Sequence, residues 1–228
     1  MSLNIRWHPS PNFGERRNGL QPELIVLHYT EMASCDEALQ RLCDPDAEVS
    51  AHYLISDQGE LLQLVKEDCR AWHAGQGSWR GQSDVNSRSI GIELSNRGTT
   101  PFSAPQMDAL EALLPQIMKR WAIPKHGVIA HSDFAPTRKA DPGRRFDWRR
   151  LALAGLSVWP DSSTQSTADF LTSASTFGYP TDEGEAVVLD AFRQRFRPMN
   201  AGATSGPDVV DKAMMANLAH RFGIDRTV

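Results

Sequence analysis

The segment Gly127–Gly143, GVIAHSDFAPTRKADPG, sets a histidine, a lysine and an aspartate around a short apolar run and a Pro-Gly turn. Val128-Ile129-Ala130 reads as a buried strand with His131 at its end. Asp141 follows beyond a proline-containing loop. A histidine at a strand end and an aspartate returned by a rigid turn can aim two metal ligands at one point. Lys139, two residues before Asp141, shares that face if the segment is extended. Two other apolar runs end in groups able to join them: Glu23–Thr30 (ELIVLHYT) carries His28, and Ser89–Leu94 (SIGIEL) carries Glu93.

Two imidazoles and one carboxylate with a fourth position open form the donor set of catalytic zinc; structural zinc sites are closed and rich in cysteine. An ion held in this way lowers the pKa of a coordinated water to about 7. Glu93 would take that proton as a general base and pass it to a leaving amine. Lys139 would stabilise an oxyanion, and losing such a donor typically costs about 3–4 kcal/mol of barrier lowering. Each residue also has a structural reading. A histidine ending an apolar run is commonly a hydrogen-bonded core residue, and an aspartate before Pro-Gly is a common turn residue. Glu93 fits a surface strand and Lys139 a solvated charge. The spacings do not match HExxH, so spacing alone leaves both readings open.

The elements that must position these groups follow from periodicity. Leu24–Leu27 is apolar on both faces, as a central strand is, and Ser89–Leu94 is a second. Ser34–Leu42 has helical spacing, with Ser34 and Glu37 as a capping box. His52–Ile55 and Glu60–Val65 flank Asp57-Gln58-Gly59 and read as a hairpin. Ser103-Ala104-Pro105-Gln106 opens a helix with a capping-box pattern; its apolar face is Met107, Leu110, Leu114, Ile117 and Trp121, and Pro115 should kink or split it. Trp148–Ala154 closes the domain as a short helix. The first twenty residues are polar and rich in proline and glycine, and are expected to wrap the surface.

With 228 residues and 40% hydrophobic composition the chain can bury one full domain and a small module. A net charge of −4, from 24 basic and 28 acidic residues, and the lack of a basic run argue against nucleic acid. No apolar stretch reaches the ~18 residues of a membrane span. Nothing in the sequence specifies an oligomeric state. The three cysteines are Cys35, Cys43 and Cys69. On one helix Cys35 and Cys43 would lie about 12 Å apart, beyond the ~7 Å a disulfide allows. Free thiols, and the lack of a secretory leader pattern, lead to an expectation of the cytoplasm. The alternative is the periplasm or cell envelope, had a leader been removed.

Several short motifs occur in one order: His28-Tyr29-Thr30, Ser50-Ala51-His52-Tyr53, Trp72-His73-Ala74-Gly75, Asn86 with Ser89–Glu93, His131-Ser132-Asp133, and Arg138-Lys139-x-Asp141-Pro142-Gly143. In this combination residues 8–155 resemble the zinc-dependent N-acetylmuramoyl-L-alanine amidases of type 2, relatives of the peptidoglycan recognition proteins. The resemblance implies an α/β fold with a central mixed sheet flanked by helices. It implies Zn²⁺ held by His28, His131 and Asp141, with Glu93 and Lys139 catalytic. His52, Trp72, His73 and Asn86 lie in family motifs near the cleft and are expected against substrate, although His52 and Trp72 also read as core packing. The implied reaction is hydrolysis of the amide joining the lactyl group of N-acetylmuramic acid to L-alanine, in peptidoglycan or in recycled muropeptides. The recognition branch often lacks a metal ligand, whereas all three positions are filled here, which favours an enzyme. The competing readings are a non-catalytic muropeptide binder and a different zinc amide hydrolase, such as a deacetylase.

Composition changes after Pro160. Residues 1–160 are expected to form the amidase domain, 161–168 a linker, and 169–228 a three-helix module. Phe170/Ala174/Phe177, Leu189/Phe192/Phe196 and Val210/Met214/Leu218 mark the three helices. Gly178-Tyr179 and Ala186–Phe196 resemble a peptidoglycan-binding module; a helical cap packed on the amidase is the structural alternative.

Overall fold

The apolar runs of the sequence lie at the centre of a sheet in the computed structural model, which describes residues 3–161 and 166–224. The strands are β1 (Ile5–Trp7), β2 (Phe13–Glu15), β3 (Leu24–Tyr29), β4 (Tyr53–Ile55), β5 (Leu61–Gln63), β6 (Cys69–Ala71), β7 (Ser89–Leu94) and β8 (Val128–Ala130). The α-helices are α1 (Cys35–Cys43), α2 (Val85–Arg88), α3 (Ala104–Trp121), α4 (His131–Phe134), α5 (Trp148–Leu153), α6 (Phe170–Phe177), α7 (Glu185–Phe196) and α8 (Val209–Phe222). Six strands form a mixed sheet in the order β1-β5-β4-β7-β3-β8, and β2 pairs antiparallel with β6 apart from it. β4, β7, β3 and β8 run parallel, while β5 is antiparallel to β4. The fold is the expected α/β arrangement, a mixed sheet flanked by helices.

Alternation along the strands decides what each face meets. Ile25, Leu27, Ile90 and Ile92 point into a core closed by Leu110, Leu114 and Ile117 of α3 and by Trp148 and Leu151 of α5. The opposite face carries Leu24, Val26 and His28, with Ser89, Gly91 and Glu93 beside them in register. Two coverings share that face. Ala38 and Leu42 of α1 pack on Leu54 and Leu62, while Phe170, Phe192 and Met215 of α6–α8 pack in one cluster with Val26 and Ile129. A cleft of about 630 Å³ opens on that face, lined by Ala38 and Leu42 of α1 and by His28, Glu93 and His131.

Three expectations change. The N-terminal residues do not merely wrap the surface: β1 extends the sheet edge beside β5, and β2 pairs with β6. These strands are three residues long and largely exposed, so they carry no apolar pattern. α3 runs unbroken through Pro115. That proline is exposed, so the carbonyl deprived of its donor faces solvent, where water can serve it. The expected capping box at Ser103 is half formed. Ser103 accepts from the Gln106 amide, but the Gln106 side chain donates instead to the carbonyls of Ile55 and Ser95 at the sheet's end. Of the expected linker, positions 162–165 lie outside the described residues. α6–α8 share their core with the sheet, and Trp79, from the loop before β7, is fully buried edge-on to Phe177 and Tyr179.

One backbone position on the cleft face is sterically fixed. A Cβ on Gly91 would come within 2.6 Å of the His73 ring, so only glycine leaves room for that imidazole. Gly91→Ala is expected to lower unfolding free energy by about 1–3 kcal/mol, the usual range for overpacking. Gly14→Ala, where a Cβ meets nothing within 4 Å, should leave the denaturation midpoint nearly unchanged. Chemical denaturation of both variants tests this.

Candidate metal centre

His28 and Glu93 each stand one residue before the end of their strand, β3 and β7, and the two are cross-strand neighbours. His131 opens α4 directly after β8. The chain then turns so that the Ser132 amide donates to the Asp141 carbonyl at 3.1 Å. Together these place three buried side chains at one point. Asp141 Oδ2 lies 2.7 Å from His28 Nδ1 and 3.1 Å from His131 Nδ1. One donor atom from each of the three falls within 4.8 Å of the others.

The surrounding hydrogen bonds determine which ring nitrogens carry protons. Ser89 donates its hydroxyl to the Val85 carbonyl at 2.6 Å, so it can only accept from His73 Nε2, 3.1 Å away. His73 Nδ1 is then an acceptor and takes the proton of His28 Nε2 at 3.0 Å. His131 Nε2 faces the Ala74 carbonyl at 2.9 Å and must donate to it. In the neutral imidazoles both Nδ1 atoms are therefore lone pairs, and both point at a carboxylate oxygen, a third acceptor. Three acceptors share a buried point only with a positive charge between them, a proton or a metal ion. This is the arrangement of metal ligands whose distal N–H groups are tied to outer acceptors, and the donor set suits a divalent metal.

The electrostatics agree. Burial first, with neighbouring positive groups, pushes His73 well below the ordinary histidine value, and burial pulls His131 down to about 4. His28 goes the other way: burial lowers its pKa, but the Glu93 and Asp141 charges outweigh burial and raise it. A pocket in which one imidazole is driven to gain a proton is short of positive charge. Glu93 is half-exposed as a residue, but its Oε2 is sealed from solvent and has no hydrogen-bond partner among the described residues. Burial pushes its carboxyl up to about 7.

The other expected site residues divide. Lys139 is exposed on the cleft wall beside Asp141, and Trp72 lines the same cleft half-buried. His73 reaches the cleft, but both its nitrogens are committed to His28 and Ser89. His52 and Asn86, expected against substrate, are buried away from the cleft. His52 accepts from the Gly91 amide at 2.9 Å and faces the Cys69 carbonyl at 3.1 Å. Asn86 Oδ1 accepts from the amides of His73 and Ala74 at 3.0 and 2.8 Å. Both hold backbone beneath the site. Sequence reasoning missed Ser89 and the Ala74 carbonyl, which fix the two tautomers, and Arg138, whose guanidinium also donates to Ala74 at 2.8 Å. Their motifs were visible; the main-chain acceptors were not.

Comparison with known proteins agrees with this geometry. Residues 18–144 match the N-acetylmuramoyl-L-alanine amidase family. N-acetylmuramoyl-L-alanine amidase AmiD of Escherichia coli is 34% identical over 89% of this chain and 84% of its own. The 1,6-anhydro-N-acetylmuramyl-L-alanine amidase AmpD of Enterobacter cloacae is 35% identical over 65% of this chain and 89% of its own. Among solved structures, E. coli AmiD in complex with the substrate anhydro-N-acetylmuramic acid-L-Ala-D-γ-Glu-L-Lys superposes with a TM-score of 0.82 at 32% identity, covering 94% of this chain and 99% of that one. AmpDh3 of Pseudomonas aeruginosa with anhydromuramic pentapeptide gives 0.80 at 29% identity, over 95% and 96%. With a family match over more than half its length, and a fold in common with AmiD over 94% of it, the chain belongs to the type 2 N-acetylmuramoyl-L-alanine amidases.

Proposed function

We propose that the chain hydrolyses the amide between the lactyl group of N-acetylmuramic acid and L-alanine, in peptidoglycan or its fragments, with a zinc ion held by His28, His131 and Asp141. The observation that carries this reading is the convergence of two unprotonated Nδ1 atoms and one carboxylate oxygen beside the partnerless carboxylate of Glu93. The names of AmiD and AmpD, and the anhydromuramyl peptides bound to AmiD and AmpDh3, support the substrate class. Two imidazoles and a carboxylate suit zinc among divalent metals. When bound, it supplies Lewis acidity and brings a water's pKa to near neutrality.

The chain's own groups do the rest. His73 and the Ala74 carbonyl hold the imidazoles in their ligating tautomers. Glu93, next to His28 across the strands, takes a proton from the attacking water and returns it to the leaving nitrogen. Lys139, reaching in from the exposed wall, meets the carbonyl oxygen as negative charge builds there. Ala38, Leu42 and Trp72 give the cleft an apolar wall on which the peptide can lie.

His28→Ala, His131→Ala and Asp141→Ala are each expected to lose the single metal per chain, read by elemental analysis after dialysis. Glu93→Gln should keep the metal and lower kcat on a muramyl peptide by about 10²–10⁴; near-normal turnover with metal bound would remove Glu93 from the mechanism.

The active form of Glu93 is the deprotonated one, so kcat/KM rises with pH through its pKa. Burial sets that value near 7, and a cation beside it pulls it lower. The acid limb is therefore expected at or below pH 7 in the metal-loaded enzyme and absent from the residual activity of Glu93→Gln. A flat profile from about pH 5 to about pH 8 with metal retained would contradict this.

A further inference from the structure

We propose that the C-terminal helices clamp the segment 131–141, with Arg195 and Tyr179 as positioning residues for His131. The proposal rests on the reading of His131 as a metal ligand. Asp133, two residues after His131, is fully buried. Its Oδ1 accepts from the Tyr179 hydroxyl at 2.7 Å. Its Oδ2 accepts from the Ala130 amide at 2.9 Å and from Arg195 of α7. Arg195 also donates to the Val128 carbonyl at 2.9 Å and to Ser157 Oγ at 3.2 Å. One guanidinium thus holds the chain on both sides of His131, at β8 before it and at α4 after it. Its plane is seated over Trp148, 4.1 Å from the ring centre. A second grip lies further along the same segment, where Glu183 accepts from the amide and hydroxyl of Thr137.

A buried ion pair is a poor way to gain stability, because desolvation offsets most of the attraction. What this pair adds is direction. Its bonds run to main-chain atoms flanking His131, and they fix where α4 begins and hence where the imidazole points. A second buried pair, Arg193–Asp211, joins α7 to α8 at 2.6 Å and does not touch the 131–141 segment. It is an internal control for damage to the helices alone.

The test uses the full chain. Tyr179→Phe, Arg195→Met, Arg195→Lys, Glu183→Gln, Arg193→Met and His131→Ala are compared for Zn²⁺ affinity by competition with a chromophoric chelator. The visible spectrum of the Co²⁺-loaded protein and the split of kcat against KM are read alongside. Tyr179→Phe and Arg195→Met are expected to weaken metal binding about tenfold, shift the Co²⁺ bands and lower kcat with KM little changed. Arg195→Lys should recover part of this, and Glu183→Gln should give a smaller loss in the same direction. Arg193→Met should lower thermal stability but leave affinity and spectrum as in the parent. Parental affinity and spectrum in folded Tyr179→Phe and Arg195→Met would overturn the clamp, as would an equal shift in Arg193→Met. If Arg195→Met does not fold, Tyr179→Phe decides. If His131→Ala binds metal as the parent does, the ligand assignment falls and the clamp with it. If His131→Ala loses the metal and the clamp variants do not, only the clamp falls.

Discussion

Holding three acceptor atoms together against their mutual repulsion is the constraint on which the site depends. His28 Nδ1, His131 Nδ1 and Asp141 Oδ2 converge in a buried pocket, and the proton of each imidazole is drawn off to the far side. Ser89, spent on the Val85 carbonyl, forces His73 to accept from His28, and the Ala74 carbonyl takes the proton of His131. Every neighbouring choice serves this arrangement. Gly91 lacks a side chain because the His73 ring occupies the space. Asn86 accepts from the backbone that carries His73, and His52 accepts from the Gly91 amide beneath that ring. The resulting deficit of positive charge is what a metal ion would fill under the proposed reading, and the same burial pushes the Glu93 carboxyl up to about 7.

The convergence of the candidate ligands was legible because strand ends are legible. ELIVLHYT and SIGIEL are apolar on both faces, so their position at the sheet's centre followed, and with it the placement of His28 and Glu93 side by side. His131 and Asp141 were readable from a short apolar run and a Pro-Gly turn. The roles of His52 and Asn86 were not readable. A buried polar side chain that bonds to main chain leaves the same letter in the sequence as one that touches substrate, and its motif does not say which. The edge strands β1 and β2 were missed for a related reason: they are held by main-chain pairing and have no apolar period. Pro115 misled because its cost depends on which side of the helix it occupies, and it occupies the wet side.

The C-terminal helices were read correctly as helices, but their relation to the sheet was not visible. Amphipathic spacing shows that a face must be buried, not against what. Here the partners are Val26 and Ile129 of the sheet and Trp79 of the preceding loop, so part of the covering of that sheet face comes from the last third of the chain. Burial of Arg195 against Asp133 could not have been inferred from two charges sixty-two residues apart.

X-ray absorption at the metal edge of the protein loaded with one equivalent of Zn²⁺, with cleavage of a muramyl peptide measured on the same sample, tests the central claim most directly. Two imidazole nitrogens and light oxygen scatterers at about 2.0–2.2 Å, in an active sample, are the expected result. Sulfur scattering at about 2.3 Å, or full activity in protein stripped of metal, would contradict it.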